Sequence, residues 1–435
     1  MRATSGKRGL RDRIIPLFLL SAAVSVVNIL FLPIIFYVPF QAVFELSNEQ
    51  MGSLLAAYAS LAVPGYVVGG WLCDKFSSKT LVTTSVLSTS LLGFWMSTIP
   101  SYNTLLFIFF LMSITLGLFL WSAQIKCLRM LGDNTEQGRI FGYSMAIDGI
   151  ISAGFCLGLA YLIGENIDTV AGFRTVILGF SGFFFLVGLG LFFFYDNKKY
   201  GTSSSDDSER ITFKSLWNAA KMPVTWIIAM ISFGVYVEST ALSYMSPYLN
   251  AAYGMPVVWT TAFAAIVRYG IKILAAPIGG LIRDKIGRTA PLVYSTVTPA
   301  LLIIIILSFI PRDHKYLILV ISLIFLAIFI SRLSYTAANM PLAELKAPLA
   351  LAGTITGLAL MFGYCSDLFL PKLIGHFLDM YGVSGYNYVF GIMVIGMMIM
   401  LTGVFWLNYE SKKLIAREKS EHVQQEDLQA NTNAI

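Results

Sequence analysis

Twelve stretches of about twenty mostly apolar residues follow one another along this 435-residue chain, and that length is what an α-helix needs to cross the hydrocarbon core of a bilayer. They run over 14–40, 51–73, 80–98, 104–124, 140–163 and 174–195, then over 223–249, 257–282, 290–310, 316–339, 351–375 and 387–408. Charged residues make up 12% of the chain, about half the share found in soluble domains, and the mean hydropathy is +0.73. That leaves too little polar surface to cover a soluble globule, so the expected fold class is an all-α membrane protein in a lipid bilayer. The first stretch is preceded by basic residues, as in a signal peptide, but it is too long for a secretory apolar core and reads as an uncleaved first helix.

The longest polar interruption lies between the sixth and seventh stretches and contains GTSSSDDSER, a flexible-linker composition. It divides the chain into a six-helix bundle over 1–195, a linker over 196–222 and a second six-helix bundle over 223–409, with a polar tail over 410–435 expected to be disordered. Twelve crossings place both tails on one side. With the N-terminus inside, the inner segments hold 23 Lys and Arg and the outer loops hold 3, namely Arg174, Arg312 and Lys315. Basic residues stay on the cytoplasmic side, so both termini are expected in the cytoplasm and the chain in the cytoplasmic, or inner, membrane.

Several function classes find no support. The four cysteines, Cys73, Cys127, Cys156 and Cys365, form no CxxC pair, and the three histidines, His314, His376 and His422, have no metal-ligand spacing. No cofactor, metal or nucleic-acid partner is expected. There is no GxxxxGK[ST] string for ATP, and no nucleophile elbow or paired-carboxylate motif marks an enzyme.

One charged motif occurs twice. GWLCDKFSSK carries Gly70, Asp74, Lys75 and Lys79, and GLIRDKIGR carries Gly280, Asp284, Lys285, Gly287 and Arg288. Corresponding residues are 210 apart, each copy ending the second apolar stretch of its half. Glycine lets helices approach closely, and a carboxylate can sit on the positive N-terminus of a neighbouring helix. Such a loop can latch one conformation and release in another. The pattern resembles motif A of the major facilitator superfamily, GxxxD(R/K)xGxx(R/K). The first copy departs from it at Ser77 and Ser78, and the second at Thr289. The fourth helix lacks the intramembrane arginine of the family's motif B, so the proton-coupling role tied to it does not carry over. The strings FYVPFQAVFELSNEQMG (36–52), EQGRIFGY (136–143), PIGGLIRDKI (277–286) and VFGIM (389–393) are similar to those of a YihN/YqcE-type group of enterobacterial inner-membrane transporters. The resemblance implies two bundles related by a pseudo-twofold axis, with substrate held between them at the midplane.

Ionisable groups inside membrane helices are expensive and therefore functional candidates. In the second half these are Glu238, Arg268, Lys272, Arg332, Asp367 and Lys372; in the first half, Asp148. Arg268 and Lys272 are four apart and share a helix face, so they need an anion: either Glu238 in a standing ion pair, or a substrate. Arg332 has Glu344 as a possible partner, and Lys372 is placed to snorkel. Asn28, Tyr37 and Trp121 are the polar and aromatic candidates of the first half, with packing as the alternative. Pro33, Pro39 and Pro64 are candidates for helix kinks.

The expectation is a monomeric secondary transporter of a small polar molecule, with an organic anion favoured by the excess of Arg268, Lys272 and Arg332. Protons are a candidate coupling ion through Glu238, Asp148 or Asp367. The alternatives are an exporter of drug-like or cationic compounds using Glu238 as counter-charge, and a membrane receptor or scaffold without flux.

Overall fold

The computed structural model describes residues 10–132, 136–196, 213–286, 288–333, 341–348 and 351–433. Twelve membrane helices form two six-helix halves. In the first half helix 1 occupies 10–44, helix 2 is Asn48–Lys75, helix 3 is Ser78–Met96, helix 4 is Tyr102–Met130, helix 5 is Gln137–Ile163 and helix 6 is Val170–Phe194. In the second half helix 7 is Pro223–Tyr253, helix 8 occupies 257–286, helix 9 is Thr289–Phe309, helix 10 is Leu317–Leu333, helix 11 occupies 352–381 and helix 12 begins at Tyr386. An even number of crossings puts both chain ends on one face, called here the terminal face; the opposite face is the distal face.

Most of these helices are not straight rods. Helix 1 is four pieces, Leu10–Val24, Val27–Leu30, Leu32–Ile35 and Tyr37–Phe44. Pro33 stands in the first turn of the third piece, where its missing N–H breaks no bond. Pro64, by contrast, lies within helix 2 without dividing it. Helix 2 starts in a capping box, in which the Ser47 hydroxyl accepts from the Gln50 N–H and the Gln50 side chain accepts from the Ser47 N–H. Helix 4 passes through a π segment at Ser113–Leu118. There the Thr115 carbonyl accepts from the Ser85 hydroxyl of helix 3 at 2.6 Å, and Thr115 and Thr89 share a hydroxyl bond at 2.8 Å. Hydroxyls from a neighbour thus satisfy groups that a π segment exposes.

Two sequence expectations are corrected. The tail after Tyr409 is not disordered through its length: helix 12 continues as Tyr386–Asn433. Residues 410–433 contain no Gly or Pro and are rich in Glu, Gln, Lys and Ala, which are good helix formers. The end of the linker is also packed. The helix Phe213–Ala220 buries Ala219 against Val224, Ile228, Ile355 and Ala359, and the Trp226 indole donates to the Ala220 carbonyl at 2.8 Å. Linker residues 197–212 lie outside the described residues.

The core of the first half is built on interlocked rings. Phe36 meets Phe173 and Phe180 edge-on, and Phe180 stacks with Phe184. In the second half Tyr248 plays that part, against Tyr253, Tyr386 and Phe390.

Candidate functional site

Arg268, Asp148 and Asp367 lie along the seam between the halves. Helix 8 carries a π segment, Ile266–Gly270, the extra residue of which re-aims the side chains around it; such segments recur at functional sites. This one sets Arg268 and Tyr269 against helix 1. The Arg268 guanidinium lies over the Phe31 ring, 3.6 Å from its centre. The Tyr269 hydroxyl donates to the Asn28 side-chain carbonyl, beside the Arg268 guanidinium. Asn28, buried, donates in turn to the Ser152 hydroxyl at 2.9 Å. Asp148 accepts from Ser25 at 2.7 Å and from Ser152 at 3.3 Å. A continuous polar chain therefore runs from Asp148 on helix 5, through Ser152 and Asn28, to Tyr269 on helix 8, which neighbours Arg268. Ser25, Ser152, Phe31 and Tyr269 were not among the binding candidates read from the sequence. Hydroxyls and rings are ordinary in membrane helices, and only the π segment gives them a common direction.

Asp367 lies on the other flank of the seam, in the one-turn 3-10 segment Cys365–Leu368 that interrupts helix 11. It accepts from the Thr240 hydroxyl of helix 7 at 2.8 Å and is within electrostatic reach of Arg268. Among the described residues Arg268 forms no ion pair. Trp121 on helix 4 lies beside the hydroxyl of Tyr58 on helix 2, which adds Tyr58 as a ring the sequence reading missed.

Glu238 is elsewhere. It is 5% exposed and accepts from Ser331 of helix 10 at 2.5 Å. With Val235, Ser331, Arg332 and Met400 it lines a small gap inside the second half. Of the two alternatives for Arg268, the standing Glu238–Arg268 ion pair does not form, because Glu238 faces helices 10 and 12 while Arg268 faces helix 1. Arg332 donates to the Ser239 hydroxyl at 3.0 Å. Glu344, named from the sequence as a possible partner, accepts from the Thr289 N–H at the start of helix 9 at 3.2 Å. Lys272 follows Arg268 by one turn on helix 8; its side chain lies outside the described set.

The repeated motif falls where its spacing places it. Gly70, Asp74 and Lys75 end helix 2, Lys79 is in the first turn of helix 3, Gly280, Asp284 and Lys285 end helix 8, and Arg288 precedes helix 9. The side chains of Asp74 and Asp284, and the whole of Gly287, lie outside the described residues. Beside the first copy, Lys126 of helix 4 donates to the Cys73 carbonyl at 2.9 Å, a cation on the negative end of helix 2.

The distal face closes the seam by contacts that no motif announced. Asp379, near the end of helix 11, accepts from the Asn48 N–H at 2.9 Å, the Asn48 amide group at 2.7 Å and the Glu49 N–H at 2.8 Å. Glu49 receives His376 at 3.0 Å and Lys372 at 3.6 Å. The backbones of the two helices touch: a Cβ added at Gly375 would strike the Asn48 carbonyl, and one at Gly52 the Pro371 carbonyl. Tyr37 belongs to this closure, since its hydroxyl donates to Asn48 at 2.7 Å and its ring meets Tyr244 of helix 7 edge-on. Glu49 and Asp379 lie outside the apolar stretches. The hydrogen bond from His376 holds the Glu49 carboxyl below its ordinary range. For Asp379 partial burial acts upward, but the Glu49 and Asn48 N–H groups outweigh it and hold the carboxyl low.

Two half-bundles of six helices, joined by a linker and meeting at a charged seam, define a transporter rather than an enzyme. The family model of the Major Facilitator Superfamily matches residues 17–371, and the chain belongs to that superfamily. It is 28% identical over 396 residues to the inner membrane protein YihN of Escherichia coli, covering 88% of this chain and 93% of that protein. It is 23% identical over 384 residues to the cis,cis-muconate transport protein of Acinetobacter baylyi, covering 84% and 86%. Among solved structures, a bacterial homologue of the human lysosomal transporter Spinster, inward-facing and unoccupied, matches with a TM-score of 0.67 at 14% identity, over 94% of this chain and 96% of that one.

Proposed function

We propose that this transporter carries a small organic anion, bound at the seam by Arg268, through alternating access of its two halves. The observation behind this reading is a guanidinium near the middle of helix 8 with no ion pair among the described residues. A charge at that depth costs about 2.5–3.5 kcal/mol even on the gentlest scale, and a ring face returns about 0.5–2 kcal/mol. An anionic ligand removes the remaining deficit. The muconate relative is named for an anionic substrate, which agrees with this sign of charge. Phe31 covers one face of the guanidinium, so its edge is left for a carboxylate to meet in the two-pronged manner Arg favours.

Asp367 and Asp148 are the carboxylates that flank Arg268 and serve as the coupling sites if a proton moves with the substrate. The excess of Lys and Arg on the terminal face makes that face cytoplasmic, and a self-contained twelve-helix chain works as a monomer in the inner membrane. The closed distal face is then the periplasmic one. The alternative of cation export through Glu238 fits less well, because Glu238 is turned away from the seam and held by Ser331.

Uptake into proteoliposomes, across a panel of carboxylates and sulfonates with and without a pH gradient, tests this. Anion uptake lost in Arg268→Ala is the expected result. Full uptake by that variant, or a preference for cations, rejects the site.

A further inference from the structure

We infer that Asp379 is a gating residue: its carboxylate, seated on the N-terminus of helix 2, clasps the two halves shut on the distal face and must release for that face to open. The inference rests on the transporter reading but is independent of what Arg268 binds.

The chemistry follows from the end of a helix. The first N–H groups of any helix lack intrahelical partners, and helix 2, 28 residues long, presents a positive end there. Ser47 takes the Gln50 N–H from within the first half. The two N–H groups before it, those of Asn48 and Glu49, are taken by Asp379 of the second half. The Asn48 side chain completes the seat: its amide group donates to Asp379, while its carbonyl accepts from Tyr37 and from Gln41 at 3.1 Å. Separation of the halves strips both backbone donors of their partner, and water replaces it. Exchange of a protein acceptor for water changes the free energy modestly, which makes the clasp reversible.

Packing makes the clasp specific to one state. Gly375 and Gly52 let helices 11 and 2 touch backbone to backbone, so Asp379 reaches the N–H groups only when the seam is fully closed. The groups around it are Ser47, Asn48 and Glu49 of the first half, Tyr37 on helix 1, and His376 and Lys372 one and two turns back on its own helix. Glu49, bridged to Lys372 and His376, fastens the same joint from the opposite side. The device resembles in kind the carboxylate-on-helix latch expected of the Asp74 and Asp284 motif, but it stands on the other face of the membrane. Each face then has its own latch, and the transport cycle trades one for the other.

The test is a distance measurement on the full-length protein in nanodiscs, with no substrate added. Spin labels at Ala42→Cys and Ser384→Cys, with the four native cysteines replaced, report the distal separation by double electron–electron resonance. The parent is expected to show a single short distance. Asp379→Ala and, independently, Gly375→Ala are expected to add a longer component holding at least a third of the population, with Asp379→Asn between parent and alanine variant. If both alanine variants elute as folded protein and keep the parent distribution, Asp379 is not a gate. Should Asp379→Ala fail to fold, the Asn and Gly375 variants decide by the same criterion.

Discussion

Replacing Arg268 by leucine separates a binding cation from a structural one. Arg268 lies over the Phe31 ring. That contact returns about 0.5–2 kcal/mol. Against it stands a burial cost of about 2.5–3.5 kcal/mol for a cation at the membrane centre. Leucine carries neither term and fits the apolar surroundings. The balance is a stabilisation between about 0.5 and about 3 kcal/mol, which for a chain of this size raises the melting temperature by only a few degrees. The assay is thermal unfolding of purified protein followed by size-exclusion chromatography, paired with uptake. The expected result is a melting point equal to or above the parent's with uptake abolished, the usual trade of stability for function at a site. A fall corresponding to more than about 3 kcal/mol is the size seen when a buried ion pair loses a partner. That outcome would show Arg268 to be a structural charge and would refute the anion site.

Three further outcomes follow from the same geometry. Ser331→Ala removes the donor to buried Glu238 and is expected to cost about 1–3 kcal/mol; in thermal unfolding the double variant with Glu238→Leu should recover much of this loss, and equal losses would show that the pair is not coupled. Ser85→Ala leaves the Thr115 carbonyl of the helix 4 π segment without its hydroxyl donor, for a loss of similar size by the same measurement. The distal clasp should hold on mild acidification. Asp379 and Glu49 both titrate below their ordinary values, so the closure they favour is fully present above about pH 4 and is lost only as pH falls through those lowered values. Spin-label distances at pH 7.5 and pH 5 should therefore coincide, and opening between them would mean that these carboxylates do not carry the clasp.

Much of this fold is legible in the residues because hydrocarbon leaves the backbone few choices. Twenty apolar residues must form a helix, and twelve such stretches with a duplicated charged loop point to the two-half arrangement. What periodicity does not carry is the direction in which each helix turns its faces. Arg268 and Glu238 look like partners on neighbouring helices, yet the π segment at Ile266–Gly270 turns Arg268 towards helix 1, and Glu238 faces inward to Ser331. A single inserted residue rotates everything after it by about 100°, and nothing in the local string IVRYG marks it. The clasp was hidden for another reason. Asp379 and Asn48 are 331 residues apart, and each sits among polar residues that look like an ordinary helix end.

The arrangement of charge also bears on how binding and movement are joined. Most intramembrane ionisable residues fall in the second half of the sequence, with Asp148 in the first. The surroundings of Arg268 come from both halves. The cation is on helix 8, but the ring beneath it and the amide beside it, Phe31 and Asn28, belong to helix 1. The same broken helix 1 carries Tyr37, which braces Asn48 under the clasp. An anion that draws Arg268 off Phe31 therefore acts on a helix that also supports the distal closure, and the breaks around Phe31 and Phe36 let its pieces shift separately. Coupling between site and gate needs only this one helix to have two arrangements, which is the physical requirement for linking distant sites.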